Sequence, residues 1–169
     1  LESIEIPSSV TLIGHNSFGS CSSLTFIEIP SSVTTIDSTA FEECTSLSNI
    51  KFDALITEIE YGTFSYCSSL THIKIPSTIT TIKDSVFYRC HSLKSIEIPS
   101  SVTSIGESTF YGCTSLTSIK LPSSLTTIEY SLFYNCTALS NIEIPQSVTS
   151  IKHSVFTNCV SLVNIEIPS

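Results

Sequence analysis

The sequence predicts a repeat solenoid: about seven coils of 23 residues, rich in β-structure, with a parallel sheet and short loops or single helical turns. Three observations predict it. The 169 residues slide onto themselves at a spacing of 23, giving seven full units and eight residues over. Each unit carries an apolar step such as Ile27-Glu28-Ile29, which alternates inward and outward as a strand does. All seven prolines fall directly after that step, and Asp53 stands where one is missing. A period in this range marks stacked supersecondary units, none of which buries its apolar face alone. The units start at residues 1, 24, 47, 70, 93, 116 and 139, residues 162–169 begin an eighth, and 1–169 is expected to form one solenoid domain.

Along each unit the elements follow in a fixed order. A leucine opens it, from Leu1 and Leu24 through to Leu162, and an isoleucine stands three places later, from Ile4 to Ile165. The next apolar position holds Ile6, Ile29, Phe52, Ile75, Ile98, Leu121, Ile144 and Ile167. These β-branched residues suit a pleated, half-buried surface. Proline then ends the strand because it lacks the amide donor that a longer ladder needs, and the Ser-Ser pair that usually follows makes a turn. A second extended stretch comes next, as in Val102-Thr103-Ser104-Ile105. Beyond it, residues such as Gly106, Ser108 and Thr109 lack the spacing of a three-turn amphipathic helix, so a loop or a single helical turn is expected. A phenylalanine such as Phe110 and a cysteine such as Cys113 close the unit. The third unit is irregular, with Lys51-Phe52-Asp53-Ala54-Leu55 at its strand end, which reads as drift of the repeat, with a local kink as the alternative. Coils stacked about 4.8 Å apart would make a rod roughly 35 Å long.

The pattern L-x-x-I-x-I-P-S-S-V-T-x-I, with Phe and Cys three apart further on, resembles the BspA-type leucine-rich repeat of bacterial and protist surface proteins. The likeness covers the whole chain. It implies a right-handed, curved leucine-rich-repeat solenoid of the α/β horseshoe class, a parallel sheet on one face, and a role in adhesion or binding rather than catalysis. At the place where the general repeat carries an inward Asn or Cys, this chain has mainly Ser or Thr, as at Ser9, Thr78 and Ser101, so an asparagine ladder is not expected.

Composition excludes several functions. With 41% apolar and 13% charged residues, a disordered acidic tail is excluded despite the net charge of −8. Seven basic residues against fifteen acidic ones argue against nucleic acid as a partner. No apolar run reaches the roughly 18 residues of a membrane-crossing helix. The chain begins at Leu1 and contains no Met, as a processed or excised piece would, so a missing leader carries no meaning. No glycine-rich phosphate loop or unrepeated motif is present, and neither an enzyme nor a cofactor is expected.

The repeated columns carry the remaining chemistry. Cys21, Cys44, Cys67, Cys90, Cys113, Cys136 and Cys159 form one column, expected to be a stripe of shielded, reduced thiols because free Cys is among the most buried residue types. A straight column cannot surround a zinc ion, and His15, His72, His91 and His153 fall too far apart to act together. The outward strand position reads Glu5, Glu28, Lys51, Lys74, Glu97, Lys120, Glu143 and Glu166, a mixed charge ladder whose opposite neighbours are expected to pair weakly. Its two adjacent acidic pairs, Glu5 with Glu28 and Glu143 with Glu166, offer too few oxygens for calcium, and no metal is expected. Beside it runs a polar column with Phe26, Asn49 and His72. Three tyrosines in succession, Tyr88, Tyr111 and Tyr134, follow the core phenylalanines and are either a recognition patch or a cover over their own loops. The sequon Asn135-Cys136-Thr137 is weakened by its central cysteine.

The binding surface is therefore expected among Tyr88, Tyr111, Tyr134, Phe26, His72, Glu28, Lys51, Lys74, Glu97 and Lys120, with a protein or glycan as ligand. The resemblance implies a cell-surface or extracellular place. The unpaired cysteines fit the alternative, an intracellular leucine-rich-repeat scaffold in the cytoplasm. Uncapped ends leave both flanking repeats and an end-to-end dimer open.

Overall fold

A computed structural model describes residues 2–167. Leu1, Pro168 and Ser169, which belong to the leucine, proline and serine columns of the repeat, lie outside the described residues. Fifteen short strands are present among the described residues, numbered in chain order, two to a full coil. The first strand of each coil is β1 (Ser3–Ile4), β3 (Phe26–Ile29), β5 (Asn49–Phe52), β7 (His72–Lys74), β9 (Ser95–Glu97), β11 (Ser118–Lys120), β13 (Asn141–Glu143) and β15 (Asn164–Glu166). The second is β2 (Leu12–Ile13), β4 (Thr35–Ile36), β6 (Glu58–Ile59), β8 (Thr81–Ile82), β10 (Ser104–Ile105), β12 (Thr127–Ile128) and β14 (Ser150–Ile151).

All pairings are parallel and join equivalent residues of neighbouring coils, as Ile4 with Ile27 and Ile142 with Ile165. The first strands form the main face in two blocks, β1-β3-β5 and β7-β9-β11-β13-β15. The second strands form three blocks, β2-β4, β6-β8-β10 and β12-β14. Both strand faces are thus interrupted, the main one between coils three and four.

The turn side is not interrupted. The Phe18 amide donates to the Ala40 carbonyl at 2.9 Å, and the same bond recurs in every coil down to Phe133 with Val155 at 3.0 Å. A flanking ladder runs from Asn16 with Ser38 to Ser131 with His153, and another from Ser20 with Glu42 to Asn135 with Thr157. Intervening amides turn back into their own coil, Ser17 to Gly14, Gly19 to Asn16 and Cys21 to Phe18. Almost every backbone donor of the segment is thereby accounted for.

The choice between loops and helical turns therefore falls to a run of turns, and no helix occurs among the described residues. The reason lies in two columns of left-handed backbone. Asn16, Thr39, Gly62, Ser85, Ser108, Ser131 and Ser154 have φ between 53° and 62°, and so do Ser20, Glu43, Tyr66, Arg89, Asn135 and Asn158, with Gly112 at 71°. Consecutive i to i+3 bonds alone would wind a 3₁₀ segment that sends its donors along its own axis. A left-handed residue at each end of the phenylalanine turn rotates the peptide planes, so that alternate amides point at the next coil.

The core fills the space between the three sides. Phe41, Phe64, Phe87, Phe110 and Phe133 are fully buried and stack with Phe18 and Phe156 at centroid distances of 5.2–5.9 Å. The leucine and isoleucine columns pack against them. Each cysteine from Cys44 to Cys159 points its thiol at the phenylalanine carbonyl of the preceding coil, at 3.1–3.3 Å. The serines standing at the asparagine position are mixed in effect. Ser124 and Ser147 donate to Val102 and Leu125 carbonyls, whereas the buried Ser32 and Ser101 hydroxyls have no protein partner.

Coil three leans, as its irregular sequence suggests. Asp53 keeps the amide that proline would remove, and donates it to the Ile29 carbonyl at 2.9 Å, drawing β5 back onto β3. On the second face β6 pairs forward with β8 instead of back with β4. The main face consequently parts between β5 and β7 while the turn ladders run straight through.

Left-handed backbone costs a non-glycine residue about 1–2 kcal/mol, and glycine gives back part of the gain through its freer unfolded chain. Ser108→Gly is expected to raise stability by about 0.5–1 kcal/mol in urea unfolding, while a drop would show that Ser108 is not strained. Burial pushes the Cys44 thiol up to about 12, and Cys67, Cys90, Cys113, Cys136 and Cys159 are raised for the same reason. A thiol raised in the folded chain stabilises it below the ordinary value of 9 and loses that contribution as pH climbs, because the unfolded chain ionises first. Stability should therefore fall steeply above about pH 9, each thiol contributing a slope of up to about 1.4 kcal/mol per pH unit. Iodoacetamide at neutral pH should reach the half-buried Cys21 first, and native labelling of several thiols at the denatured rate would contradict the shielding.

Candidate functional site

Strand alternation decides which side chains face out. On the main face, the isoleucine column is buried from Ile27 to Ile142, so the residues on either side of it must point to solvent. All sixteen residues of the two outward columns are exposed, including Phe26, His72, Glu28, Lys51, Lys74, Glu97 and Lys120. Those columns change residue type from coil to coil, as does the turn-side column His15, Ser38, Tyr61, Asp84, Glu107, Tyr130 and His153, while the buried columns barely change.

The charge ladder closes only at one place. Lys51 Nζ lies 2.7 Å from Glu28 Oε1 and 2.9 Å from Asp53 Oδ2, and these hydrogen bonds hold its ammonium above the usual lysine range. Register sets Lys74 beside Glu97, and Lys120 beside both Glu97 and Glu143, yet none of these pairs reaches salt-bridge distance among the described residues. Long exposed side chains gain too little from pairing in water to be held in one geometry. A further pair, Lys83 with Glu58 at 3.0 Å, joins coils three and four on the second face and raises the lysine.

Where β5 and β7 part, a cleft of about 400 Å³ opens, lined by Phe26, Asn49, Lys51, Phe52, Asp53 and Lys74, with Ile50 and Pro76. It brings together three of the residues expected to bind, Phe26, Lys51 and Lys74. A second groove of about 530 Å³ follows the proline edge of coils five to seven and includes Lys120 and Glu143. The cleft coincides with a step in charge. Residues 1–69 carry nine carboxylates and one lysine, whereas coil four carries Lys74, Lys83 and Arg89 against Asp84 alone. Coil four is the one coil with net positive charge.

The tyrosines lie on a different side. Tyr88, Tyr111 and Tyr134 are half-buried and stack face to face, with centroids 4.7 Å apart in both pairs. Their faces are thus covered by one another, and edges and hydroxyls are what solvent meets. Tyr66 extends the stack edge-on at 5.4 Å, and the Arg89 guanidinium lies 5.8 Å from the Tyr66 ring and 5.6 Å from the Tyr88 ring. Sequence reasoning joined neither Tyr66 nor Arg89 to the tyrosine stack. The signal that could have found them is that both occupy the left-handed column directly after the tyrosine position, in adjoining coils. Tyr130 and His153, equivalent residues of coils six and seven, likewise touch at 4.4 Å.

Two histidines make local hydrogen bonds. His72 Nδ1 lies 3.1 Å from the Thr71 hydroxyl, and His91 Nδ1 3.0 Å from the Gly112 carbonyl. Among the described residues no three His, Cys, Asp or Glu side chains converge as a metal requires. Asn135 sits in the left-handed column with its amide bound to Thr157, its sequon partner Cys136 is buried, and Thr137 donates to the Thr114 carbonyl.

Comparison with known proteins adds the relationship. The model of the BspA type leucine rich repeat region matches in six copies over residues 1–103 and 80–169. A leucine rich repeat protein of T. pallidum is similar in structure with a TM-score of 0.91 and 31% identity, over 96% of this chain and 78% of that one. One from Bacteroides ovatus gives a TM-score of 0.89 and 35% identity, over 94% of this chain but 41% of that one. A leucine rich cell surface protein of Faecalibacterium prausnitzii gives 0.68 and 31%, over 98% of this chain and 59% of that one. The chain thus spans about half the length of the latter two. A comparison with curated sequences gives no match. The period, the stacked parallel strands and the matching repeats together place this chain in the BspA-type leucine-rich repeat family.

Proposed function

We propose that the chain is a non-catalytic interaction module displayed at the cell surface, which engages a protein or glycan through the exposed face of its main sheet. One observation carries this reading. The outward columns of that face are fully exposed and vary from coil to coil, while every invariant column of the repeat is consumed by packing or turns. Recognition needs variable, accessible side chains on a rigid support, and the sheet supplies them at a regular spacing. The surface location draws on the family and on the F. prausnitzii relative, described as a cell surface protein. The tyrosine stack is a brace in this reading, since its ring faces are already covered.

Two variants separate the surfaces. The triple change His72→Ala, Glu97→Ala and Lys120→Ala should leave unfolding unchanged and weaken binding to an immobilised panel of extracellular-matrix proteins and glycans by about tenfold. Tyr88→Ala with Tyr111→Ala should instead lower stability by about 1–3 kcal/mol, since it removes two stacked contacts and buried ring area, and leave affinity within about twofold. The opposite pattern would move the binding surface to the tyrosine side.

A further inference from the structure

We infer that the groove along the proline edge of coils five to seven docks an extended basic segment of a partner protein, whose lysine or arginine donors reach the Ile98 and Leu121 carbonyls and the Glu143 carboxylate. The inference rests on the main face being the interaction surface and names the partner chemistry at one border of it. Its starting point is the donor that proline removes. Asp53 shows what an amide does at that position, since it donates to the Ile29 carbonyl one coil back. Pro99, Pro122 and Pro145 stand at the same position without an amide, so the Ile75, Ile98 and Leu121 carbonyls accept none from the next coil. Ser124 and Ser147, just beyond Pro122 and Pro145, give their hydroxyls to the Val102 and Leu125 carbonyls instead. Leu121 is 4% exposed, and a carbonyl so placed calls for a donor.

The groove lies at this row of acceptors. Ile98 and Leu121 line it, with the rings of Pro122 and Pro145, and its volume of about 530 Å³ is that of a ligand pocket. Charge then selects among donors. Lys120 and Glu143 are the two charged residues of the lining, and they cancel. Register sets Glu97 beside Lys120 and Glu166 beside Glu143, so the outward column along the groove holds three carboxylates against one lysine. Lys94 precedes β9 and lies outside the lining. The local surplus is negative, as is the chain as a whole at −8. Backbone carbonyls add acceptors and no donors. Unpaired acceptors, surplus negative charge and aliphatic walls together match an ammonium or guanidinium carried on a methylene stem. A neutral sugar would satisfy the carbonyls without using the charge, and an anion would be repelled by it.

The test is an NMR titration of the whole chain with the peptide acetyl-Ser-Lys-Ser-Lys-Ser-amide. Controls are the same peptide with both lysines acetylated, the same peptide with glutamates in their place, and cellotetraose as an uncharged glycan. The lysine peptide should shift the amides of Leu121, Ser123 and Gln146, and each control should bind at least about tenfold more weakly. Glu143→Gln should reduce affinity for the lysine peptide by about tenfold, while Glu107→Gln, the same change of charge on the turn side, should leave it within about twofold. Pro145→Ala gives the Leu121 carbonyl an amide, as Asp53 does for Ile29, and should weaken the peptide by about fivefold. Equal binding of any control, shifts centred elsewhere, or unchanged affinity in Glu143→Gln or Pro145→Ala would each overturn the assignment. Absence of any shift would overturn it too. If the His72, Glu97 and Lys120 variant still loses its partner in that case, the sheet-face reading stands without the groove; if it does not, both fall.

Discussion

Alternate amides of the turn segment leave their own coil and bond the next one, and the rest of the molecule depends on that constraint. Three such ladders run unbroken along the turn side, while both strand faces are interrupted. The ladders exist because each coil holds two left-handed residues bracketing its phenylalanine, twelve of the fourteen not glycine. A strained backbone persists only where its surroundings over-determine it, and here every left-handed residue of coils one to six also donates its amide to the next coil. The phenylalanine stack and the thiols that bond its carbonyls are set by the same geometry, since both sit between the bracketing residues and the next turn.

With the turn side continuous, the strand faces are free to depart from regularity. Coil three does so. Its single departure from proline, Asp53, keeps an amide for Ile29 and a carboxylate for Lys51, and both links reach back rather than forward. The β5–β7 ladder is missing while the turn ladders continue, and a cleft of about 400 Å³ lies beside that break. Stability in a stack of repeats accrues at neighbour interfaces, so a partial loss at one interface is tolerated when the others are complete.

Side chains with apparent chemical promise are mostly spent on this architecture. Six of the seven thiols, Cys44 to Cys159, are buried, bonded to a carbonyl and raised in pKa, which disfavours the thiolate at neutral pH. The tyrosines shield one another, and the histidines fall in three separate columns of the repeat. The outward face of the main sheet remains accessible and variable, over all eight of its strands.

The period, the strand positions, the inward and outward assignment and the burial of Phe and Cys were legible in the sequence, because each is a local rule repeated seven times. Alternation, proline's missing amide and apolar burial need no knowledge of distant residues. The mixed ladder, Phe26, Lys51 and Lys74 could be placed on one face by counting alone. The left-handed columns could not, since Thr39, Glu43 and Arg89 have no local preference for that backbone and adopt it only because a neighbouring coil accepts their amides. Nor could the cleft, which depends on coil three leaning back on one face and forward on the other. The fold is written residue by residue, but the candidate site is a difference between two interfaces, and only the stacked structure contains both.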